Sequence, residues 1–231
     1  MIALIDGDTP VFAAALSSED GELWQATSRL DRMIENIARD SGASEYKIFV
    51  SGGTNFRKEL DSNYKANRNA EDPKYRADCK LHLIKTYGAI EADGFEADDL
   101  CGIYQGENTI ICGIDKDLLQ IPGKHFSWEL TRKGKVVREK CFTEVSEIEG
   151  LKFFYKQLLI GDTSDNIKGV YKVGEKKADK IIDPLNDEQE MYETVLELYE
   201  GDEERLIRNA DLLWIWRDYG ITYSIRKEML C

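Results

Sequence analysis

The sequence predicts an α/β fold in which a mostly parallel central sheet is flanked by helices and followed by an all-helical C-terminal region. Short apolar runs with the pattern of strands alternate with helical patterns over about the first 130 of the 231 residues, an order typical of parallel sheets with crossover helices. Beyond that point the apolar periodicity is helical. Hydrophobic residues make up 42% of the chain and charged residues 32%, which suits a globular enzyme.

Each element of the first region has a local signal. Residues 2–6 form an apolar run that ends in acidic residues, as a buried parallel strand does. Pro10 suits the first turn of a helix over 10–16, and apolar side chains at helical spacing favour a second helix over 23–39. Apolar runs, glycine stops and acidic helix starts predict strands at 46–50, 108–112, 124–128 and 129–137, the last with a Lys133-Gly134 turn inside it, and helices at 81–87 and 96–104.

The C-terminal region begins with a predicted amphipathic helix over 142–161. A helix over 174–182 and two acidic helices follow, and they reach about residue 216. We therefore expect a catalytic core over 1–141, which includes a polar and basic segment over 54–80, and a helical region over 142–231.

Net charge and cysteine usage restrict the class of protein. The formal charge of −13 argues against nucleic acid as a partner when taken alone. Basic residues are nevertheless concentrated in 54–80, and carboxylates that hold metal ions add negative charge of their own. Five cysteines without a CxxC pair and only two histidines argue against a zinc site and indicate reduced thiols. With no membrane-length apolar run and no signal peptide pattern, we expect a cytoplasmic protein that binds no membrane.

Acidic residues are gathered at four points where predicted strands end or helices begin. Ligands bind outside the carboxyl ends of strands in open α/β sheets, so Asp6 and Asp115 are expected to meet at one edge. Mg²⁺ prefers carboxylate and water oxygens, and a pair of ions used for phosphate displacement needs several carboxylates. Helix capping and solvated turns are the alternative explanation for each cluster. The clusters are Asp6; Glu96, Asp98 and Asp99; Asp115 and Asp117; and Asp162 and Asp165.

Five motifs, taken in order, resemble the 5′-nuclease superfamily, which covers flap endonucleases, the 5′-nuclease domains of bacterial DNA polymerases and bacteriophage 5′→3′ exonucleases. They lie at 6–7, 64–68, 96–99, 113–117 and 161–167, and the block over 55–68 is most similar to the phage exonucleases. Each motif alone is weak, whereas five in this order and spacing are specific. The resemblance extends from residue 1 to about residue 216 and implies a PIN-like domain with a short helical arch and a helix-three-turn-helix.

The resemblance also implies a function. It predicts a metal-dependent 5′→3′ exonuclease or structure-specific flap endonuclease of phage-type DNA replication or recombination. Two Mg²⁺ ions would be its cofactors, with Mn²⁺ able to substitute, and the acids of the four clusters match the metal ligands of the family. Lys65 and Arg68 match its basic pair near the scissile phosphate, where a cation stabilises charge that develops in the transition state. Considered alone, these two residues are more typical of solvated surface charges.

Residues 160–183 match the helix-three-turn-helix of the family, a DNA-binding hairpin that often holds a monovalent cation, here expected to be K⁺. Glycines allow close backbone approach to phosphate, and a helix N-terminus directs amide groups to an anion. An ordinary helix–helix turn is the alternative. Tyr75, in the arch segment, is predicted either to stack on a base or to pack. The predicted DNA-binding residues are Arg57, Tyr64, Tyr75, Lys168, Gly169, Val170, Lys172, Gly174, Lys176 and Lys177.

The expected partners are double-stranded or branched DNA with a 5′ end or flap, and an RNA primer in an RNA–DNA hybrid, bound by a monomer. The chain departs from the family pattern at the end of the second strand, where the family has an aspartate and this chain has Ser51-Gly52-Gly53. A serine hydroxyl can hold a metal-bound water but carries no charge, so we expect weaker metal binding there.

Three other functions fit parts of the sequence. Residues 5–9 resemble the nucleophile motif of haloacid-dehalogenase-type phosphatases, although Pro10 stands where that motif has threonine. The acid that is missing at Ser51 fits a catalytically weak protein that binds branched DNA. A PIN-type ribonuclease is the third alternative, and the predicted helix-three-turn-helix argues against it.

Overall fold

A computed structural model describes residues 1–68, 71–132 and 135–230. No helix in these ranges is long and apolar enough to cross a membrane. The chain divides into two compact units. The sheet unit comprises Met1–Thr54, Ala70–Leu118 and Gly123–Glu144, and the helical unit comprises Asn55–Asn69, Leu119–Pro122 and Val145–Cys231.

The strands and helices are numbered in chain order. The strands are β1 (Ile2–Asp6), β2 (Glu45–Ser51), β3 (Ile90–Ala92), β4 (Thr109–Cys112), β5 (Gly123–Ser127), β6 (Leu130–Arg132), β7 (Lys135–Arg138), β8 (Cys141–Val145), β9 (Gly161–Asp162) and β10 (Ile167–Lys168). The helices are α1 (Asp8–Leu16), α2 (Leu23–Asp40), α3 (Phe56–Leu60), α4 (Arg76–Tyr87), α5 (Ala97–Tyr104), α6 (Glu147–Ile160), α7 (Glu175–Ile182), α8 (Glu188–Leu198), α9 (Glu203–Leu213) and α10 (Tyr223–Leu230).

The central sheet has the strand order β3-β2-β1-β4-β5-β8. The pairings of β1 with β2 and β4, of β2 with β3 and of β4 with β5 are parallel. The carboxyl ends of β1, β2 and β4 are therefore neighbours at one edge, with β1 in the middle. This architecture confirms the predicted α/β class with a mostly parallel sheet.

The core of the sheet unit forms between the sheet and its helices. Ile5 on β1 pairs with Ile48 on β2, and both are buried. Leu30, Ile34 and Ile37 project from α2 into the same cluster, as expected for one apolar face at helical spacing. Burial of such side chains stabilises the fold by about 1.5–3 kcal/mol each.

The helical unit has a separate aromatic core. Phe154 on α6 contacts Trp214 edge to face, with ring centroids 5.0 Å apart, and packs against Tyr223 at the same distance. The Tyr155 and Tyr223 hydroxyls share a hydrogen bond of 2.7 Å, so the two buried phenols satisfy each other. The tryptophan near the end of the chain is thus a core residue.

The structure corrects the predicted helix over 142–161. Residues Cys141–Val145 form β8, because phenylalanine, threonine and valine favour extended backbone, and α6 begins only at Glu147. Ser146 starts it with a capping box, in which the Ser146 N–H donates to the Glu149 carboxylate at 2.8 Å. The Ser-x-x-Glu signal of this helix start was readable in the sequence.

Other differences concern short elements. The predicted strand over 129–137 is two strands, β6 and β7, and its Lys133-Gly134 turn lies outside the described residues. The helix predicted at 81–87 begins earlier, at Arg76. The elements β3, α3 and α10 were not predicted, because so few residues carry no periodic signal.

The basic segment over 54–80 is divided between the two units of the structure. Asn55–Asn69 belongs to the helical unit, whereas the chain from Ala70 onward belongs to the sheet unit. Residues 69 and 70 of the predicted arch lie outside the described residues. The other boundary, between Glu144 and Val145, lies close to the predicted one.

Candidate functional site

Asp6 is the last residue of β1 and is buried. Its Oδ1 accepts a hydrogen bond from the Asp8 backbone N–H at 3.0 Å, and its Oδ2 accepts one from the Thr9 hydroxyl at 2.9 Å. Gly7 permits the tight exit from β1, because its N–H donates to the Phe49 carbonyl at 2.8 Å and a Cβ there would approach that oxygen to 2.7 Å. The first turn of α1 therefore holds the Asp6 carboxylate in place.

Burial and the neighbouring negative charges both raise the pKa of Asp6. Its pKa is raised from 3.8 to about 7, first by burial, then by the charge of Asp8 and to a smaller extent by that of Asp115. The hydrogen bonds from Thr9 and Asp8 act in the opposite direction. The edge of the sheet therefore holds carboxylates close enough to repel one another. A divalent cation among them would favour their ionised form.

The acids of α5 lie at the N-terminus of that helix. Glu96 and Asp99 form a capping box, in which the Glu96 N–H donates to Asp99 Oδ2 at 3.0 Å. Helix capping thus accounts for part of their hydrogen bonding, as the alternative explanation of this cluster predicted. Burial raises the pKa of the Cys101 thiol, and the charges of Asp6 and Asp98 raise it further. Asp6 and Asp98 therefore both lie near the Cys101 thiol of α5.

Asp115 and Asp117 follow β4. Asp115 is exposed, and its Oδ1 accepts the Asp117 N–H at 3.0 Å, which opens a 3-10 helix over Lys116–Gln120. A Cβ added to Gly113 would lie 3.8 Å from the Asp6 Cβ, so the ends of β4 and β1 are in contact. Next to them is a shallow cleft lined by Thr9, Ile114, Asp115, Lys116 and Arg138.

The donor chemistry of this edge suits a hard divalent cation. The sheet unit contains six of the eight predicted metal ligands, all of them carboxylates, and they come from β1, α5 and the segment after β4. Within residues 1–68, 71–132 and 135–230, no three His, Cys, Asp or Glu side chains are already arranged around one ion position. Mg²⁺ normally keeps several waters and binds only one or two carboxylates directly. Spaced carboxylates therefore fit Mg²⁺ and Mn²⁺.

In the helical unit, Asp165 is the centre of a charged cluster. Its Oδ2 accepts a hydrogen bond from the Tyr64 hydroxyl at 3.0 Å and lies 3.6 Å from the Lys65 ammonium nitrogen. Its Oδ1 pairs with Arg68, whose Nε also donates to the Ser164 carbonyl at 3.3 Å. The structure thus brings both predicted catalytic cations, Lys65 and Arg68, onto one predicted metal ligand.

Asp162 and Asp165 do not share a helical turn, although their spacing in the sequence would allow one. They flank a tight turn between β9 and β10, in which the Asp162 carboxylate accepts the N–H of Ser164 at 2.7 Å and that of Asp165 at 3.2 Å. Gly161, with φ of 75°, ends α6 and prevents the helix from continuing. The assignment of both acids to metal binding stays a prediction.

Two predicted DNA-binding side chains of the helical unit are buried. The Arg57 guanidinium donates to the carbonyls of Leu212 at 3.0 Å and Trp214 at 2.7 Å, and only 3% of the residue is exposed. Tyr64 is 4% exposed, and its hydroxyl donates a hydrogen bond to Asp165. We correct both assignments: Arg57 attaches α3 to the end of α9, and Tyr64 orients a carboxylate.

The assignment of Tyr75 to base stacking is corrected in the same way. This residue belongs to the sheet unit, where its ring is buried in the core cluster. Its hydroxyl donates to the Gly21 carbonyl at 2.8 Å. The packing alternative is therefore the one that the structure supports.

The predicted helix-three-turn-helix contains two glycines in van der Waals contact. A Cβ on Gly169 would approach the Gly161 nitrogen and the Leu159 carbonyl oxygen to 2.4 Å. A Cβ on Gly161 would approach the Gly169 nitrogen to 2.3 Å. Backbone atoms cannot move aside as a flexible side chain can, so both positions require glycine.

Two side chains of α9 donate hydrogen bonds to backbone carbonyls of this hairpin. The Arg205 Nη2 donates to the Gly169 carbonyl at 2.7 Å, and the Asn209 amide donates to the Lys168 carbonyl at 2.9 Å. Neither contact was predicted, since the partners lie far apart in the sequence. A K⁺ ion in this turn would have to use other carbonyls, and its presence stays a prediction.

The predicted lysine contacts of this region are exposed. Tyr171 is the most exposed aromatic side chain described, at 83%, and the Lys172 ammonium lies 5.0 Å from its ring centroid. The sequence reasoning missed Tyr171, although it stands between two predicted contacts. The exposed lysines are Lys168, Lys172, Lys176 and Lys177, with Gly174 at the N-cap of α7 and Val170 half-buried.

Comparison with known families agrees with these features. Residues 1–147 match the family model of the 5′-3′ exonuclease, N-terminal resolvase-like domain. The chain belongs to this 5′-3′ exonuclease family. The membership confirms the family that the five motifs indicated, and it replaces the phosphatase and PIN-ribonuclease alternatives.

Relatives within the family include parts of larger enzymes. DNA polymerase I of Bacillus caldotenax is 29% identical in an alignment of 206 residues that covers 78% of this chain and 23% of the polymerase. The 5′-3′ exonuclease of Buchnera aphidicola is 26% identical in an alignment of 216 residues that covers 84% of this chain and 74% of that protein. The chain thus spans about a quarter of the length of the polymerases that it matches.

Solved structures show the same fold. The zinc-bound T5 5′-exonuclease superposes with a TM-score of 0.69 at 19% identity, over 92% of this chain and 88% of that one. A bacteriophage T5 flap endonuclease, in a pseudo-enzyme-product complex with DNA and metal ions, superposes with a TM-score of 0.68 at 18% identity, over 93% of this chain and 88% of that one. At this identity the likeness concerns the fold alone.

Proposed function

We propose that this chain is a divalent-metal-dependent 5′-nuclease that hydrolyses phosphodiester bonds of DNA near 5′ ends. The observation that carries the proposal is the buried Asp6 carboxylate, which has Asp8 and Asp115 nearby at one edge of the sheet, in a chain of the 5′-3′ exonuclease family. Like charges around a buried carboxylate destabilise a fold unless an opposite charge offsets them. A bound cation would supply that opposite charge.

The acids of the sheet unit would hold two Mg²⁺ ions, with Mn²⁺ able to substitute. Bound there, such ions lower the pKa of water and stabilise the attacking and leaving oxygens of a phosphate displacement. Thr9 and the Asp8 N–H keep the Asp6 carboxylate oriented, and the capping box keeps Glu96 and Asp99 at the start of α5. Asp117 completes the proposed ligands of the sheet unit. In the helical unit, Asp162 and Asp165 are proposed as metal ligands by the family resemblance.

The helical unit would bind the DNA backbone. Exposed lysines around the β9–β10 hairpin supply positive charge, and the N-terminus of α7 directs amide groups to a phosphate. Lys65 and Arg68 would steady the phosphate of the substrate, since both are held near a surface by Asp165 and Arg68 remains 55% exposed. Tyr171 adds an exposed ring that can stack on a base.

The proposed substrates are duplex or branched DNA with a 5′ end or flap, and an RNA primer paired with DNA. The 5′-3′ exonuclease of Buchnera aphidicola and the flap endonuclease of bacteriophage T5, which was captured with DNA and metal ions, support this substrate class. We also propose a role in phage-type replication or recombination, which the likeness to the bacteriophage T5 enzyme supports.

Cleavage assays test the proposal. The protein is incubated with 5′-labelled flap, nicked, blunt-duplex and single-stranded DNA, in Mg²⁺, in Mn²⁺ and in EDTA. We expect metal-dependent release of 5′-phosphorylated products, stopped by EDTA, and a loss of at least about 100-fold in Asp115→Asn, because a removed carboxylate weakens metal binding or activity by that order. Asp20→Asn, which changes an exposed acid, is the control. Cleavage by Asp115→Asn at the parental rate would contradict the assignment of the site.

A catalytically weak protein that binds branched DNA is the second candidate. Ser51, at the end of β2, favours it, because an uncharged side chain stands where the family pattern has an acid. This candidate predicts that the protein binds flap DNA in EDTA and forms no product in either Mg²⁺ or Mn²⁺. Product formation in Mn²⁺ decides for the nuclease.

A further inference from the structure

The end of β2 carries no carboxylate of its own. Ser51 uses its hydroxyl oxygen to accept the N–H of Ala97, the first residue of α5, at 3.0 Å. Gly52 and Gly53 follow, and a Cβ on Gly52 would approach the Ala92 carbonyl oxygen to 2.1 Å. The chain therefore has no room for an acidic side chain at position 52, and the serine at 51 is occupied in starting a helix.

A carboxylate reaches this strand end from another element. The Oδ1 of Asp8, in the first turn of α1, accepts the backbone N–H of Ser51 at 3.0 Å. The backbone N–H of Asp8 donates to Asp6 Oδ1, also at 3.0 Å. Asp8 is therefore connected to the ends of both β1 and β2, which are parallel neighbours in the sheet.

The side chain of Asp8 is not used to cap its own helix. The N-cap of α1 is Gly7, which has no side chain, and the Asp8 N–H at that helix end is bound by Asp6. An aspartate in a first turn normally interacts with the nearby amides of its helix, whereas Asp8 turns toward β2. Among the described residues its second oxygen, Oδ2, has no hydrogen-bond partner, although the side chain is half-buried. That oxygen remains able to bind a cation.

We propose that Asp8 supplies, from the start of α1, the carboxylate that the end of β2 lacks, and that it helps to hold the divalent metal of the nuclease site. The inference rests on the proposed function, since that function requires the metal. It adds to the proposed ligand set a residue that the motif comparison did not assign.

Calorimetric titration with Mn²⁺, on the full chain without DNA, tests the inference independently of cleavage. The first variant is Asp8→Asn, whose amide oxygen can still accept the Ser51 N–H while the charge is removed. We expect its Mn²⁺ affinity to fall by about 10- to 100-fold, with the melting temperature in EDTA unchanged. Asp20→Asn, an exposed acid between α1 and α2, is the matched control and should bind Mn²⁺ as the parent does.

A second variant moves the charge to the strand end. In Asp8→Asn combined with Ser51→Asp, the new carboxylate can accept the Ala97 N–H as the serine did, because a negative charge is favourable near a helix N-terminus. We expect most of the lost Mn²⁺ affinity to return. Restoration supports a role of charge at this place, since a defect in packing would not be repaired by a second substitution.

The outcomes separate the two proposals. Parental Mn²⁺ affinity in Asp8→Asn overturns the role of Asp8, and metal-dependent cleavage by the parent then still supports the nuclease. A loss of affinity that comes with a lower melting temperature in EDTA, and that Ser51→Asp does not restore, also overturns it. A parent that neither binds Mn²⁺ nor cuts DNA overturns both.

Discussion

The Tyr64 hydroxyl donates a hydrogen bond to Oδ2 of Asp165 at 3.0 Å, between residues that are 101 positions apart. The same carboxylate pairs with Lys65 and Arg68. Tyr64 thus orients the acid that holds both proposed phosphate-binding cations. We therefore expect Tyr64 to act on stability and on the placement of these charges rather than by direct contact with DNA.

Tyr64→Phe should therefore destabilise the protein without weakening DNA binding directly. A hydrogen bond to a charged acceptor contributes about 1.5–3 kcal/mol, and the loss should appear as a lower urea midpoint at unchanged slope. Tyr171→Phe, which removes a hydroxyl from a ring that is 83% exposed, is the control and should leave the midpoint unchanged. A parental midpoint for Tyr64→Phe, together with weaker DNA binding, would restore Tyr64 to the DNA-binding set.

Asp6→Asn should make the metal-free protein more stable at pH 8 and abolish cleavage. The pKa of Asp6 is raised from 3.8 to about 7 in the fold, so the folded state binds this proton more tightly than the unfolded chain. Its contribution to stability is therefore present below about pH 4 and is lost as the pH rises toward 7. The asparagine keeps the Asp8 N–H as donor, and the Thr9 hydroxyl can reverse its role to accept.

Urea unfolding in EDTA at pH 5 and pH 8 measures this effect. The parent should lose more stability between these pH values than the variant does, and added Mg²⁺ should restore the parent alone, because only the parent binds the ion. Identical pH dependence in the two proteins would show that Asp6 is not the titrating group.

Gly169→Ala should disrupt the hairpin of the helical unit. The added Cβ would lie 2.4 Å from backbone atoms of Gly161, Ile160 and Leu159, and such overpacking costs about 1–3 kcal/mol or more. We expect a lower melting temperature and a loss of DNA binding in the same variant. Gly174→Ala is the matched control, since nothing lies within 4 Å of its Cβ position and its φ of −111° suits alanine. Equal stability of the two variants would contradict the close contact of the two glycines.

Lys176→Gln should weaken DNA binding and reduce the salt dependence of that binding. Each lysine that neutralises a phosphate of duplex DNA contributes about 0.9 to the slope of log affinity against log salt concentration. Fluorescence anisotropy with a flap substrate in EDTA, over a series of NaCl concentrations, gives the slope. Lys124→Gln, an exposed lysine of β5, should keep the parental slope. A parental slope for Lys176→Gln would exclude a phosphate contact at this position.

Patterns within short windows predicted much of the fold. The strand β1 and the helix α2 follow from an apolar run and from apolar residues at helical spacing, because both signals depend only on neighbouring residues. The helix expected over 142–161 was partly wrong, since the extended residues of β8 pair with β5 in the sheet, and such pairing is invisible locally. Elements as short as β3 and α3 left no periodic signal.

The acids of the site were predictable as residues but not as an arrangement. Asp6 and Asp115 were expected at one edge because they end parallel strands. The sequence reasoning considered Ser51 only as a missing acid. It did not anticipate that Asp8, 43 positions away, would place a carboxylate oxygen on its amide.

By itself, the sequence determined the fold class and the family, because periodicity and ordered motifs are local or collinear properties, and it predicted a carboxylate site from strand-end acids. The tertiary structure alone decided which of the predicted side chains are available. In the sequence, nothing distinguished Arg57, Tyr64 and Tyr75, as candidates for DNA binding, from the exposed lysines of the hairpin. Each is buried, because its polar atoms meet partners from distant parts of its own unit, and a buried polar group is stable only where such partners converge.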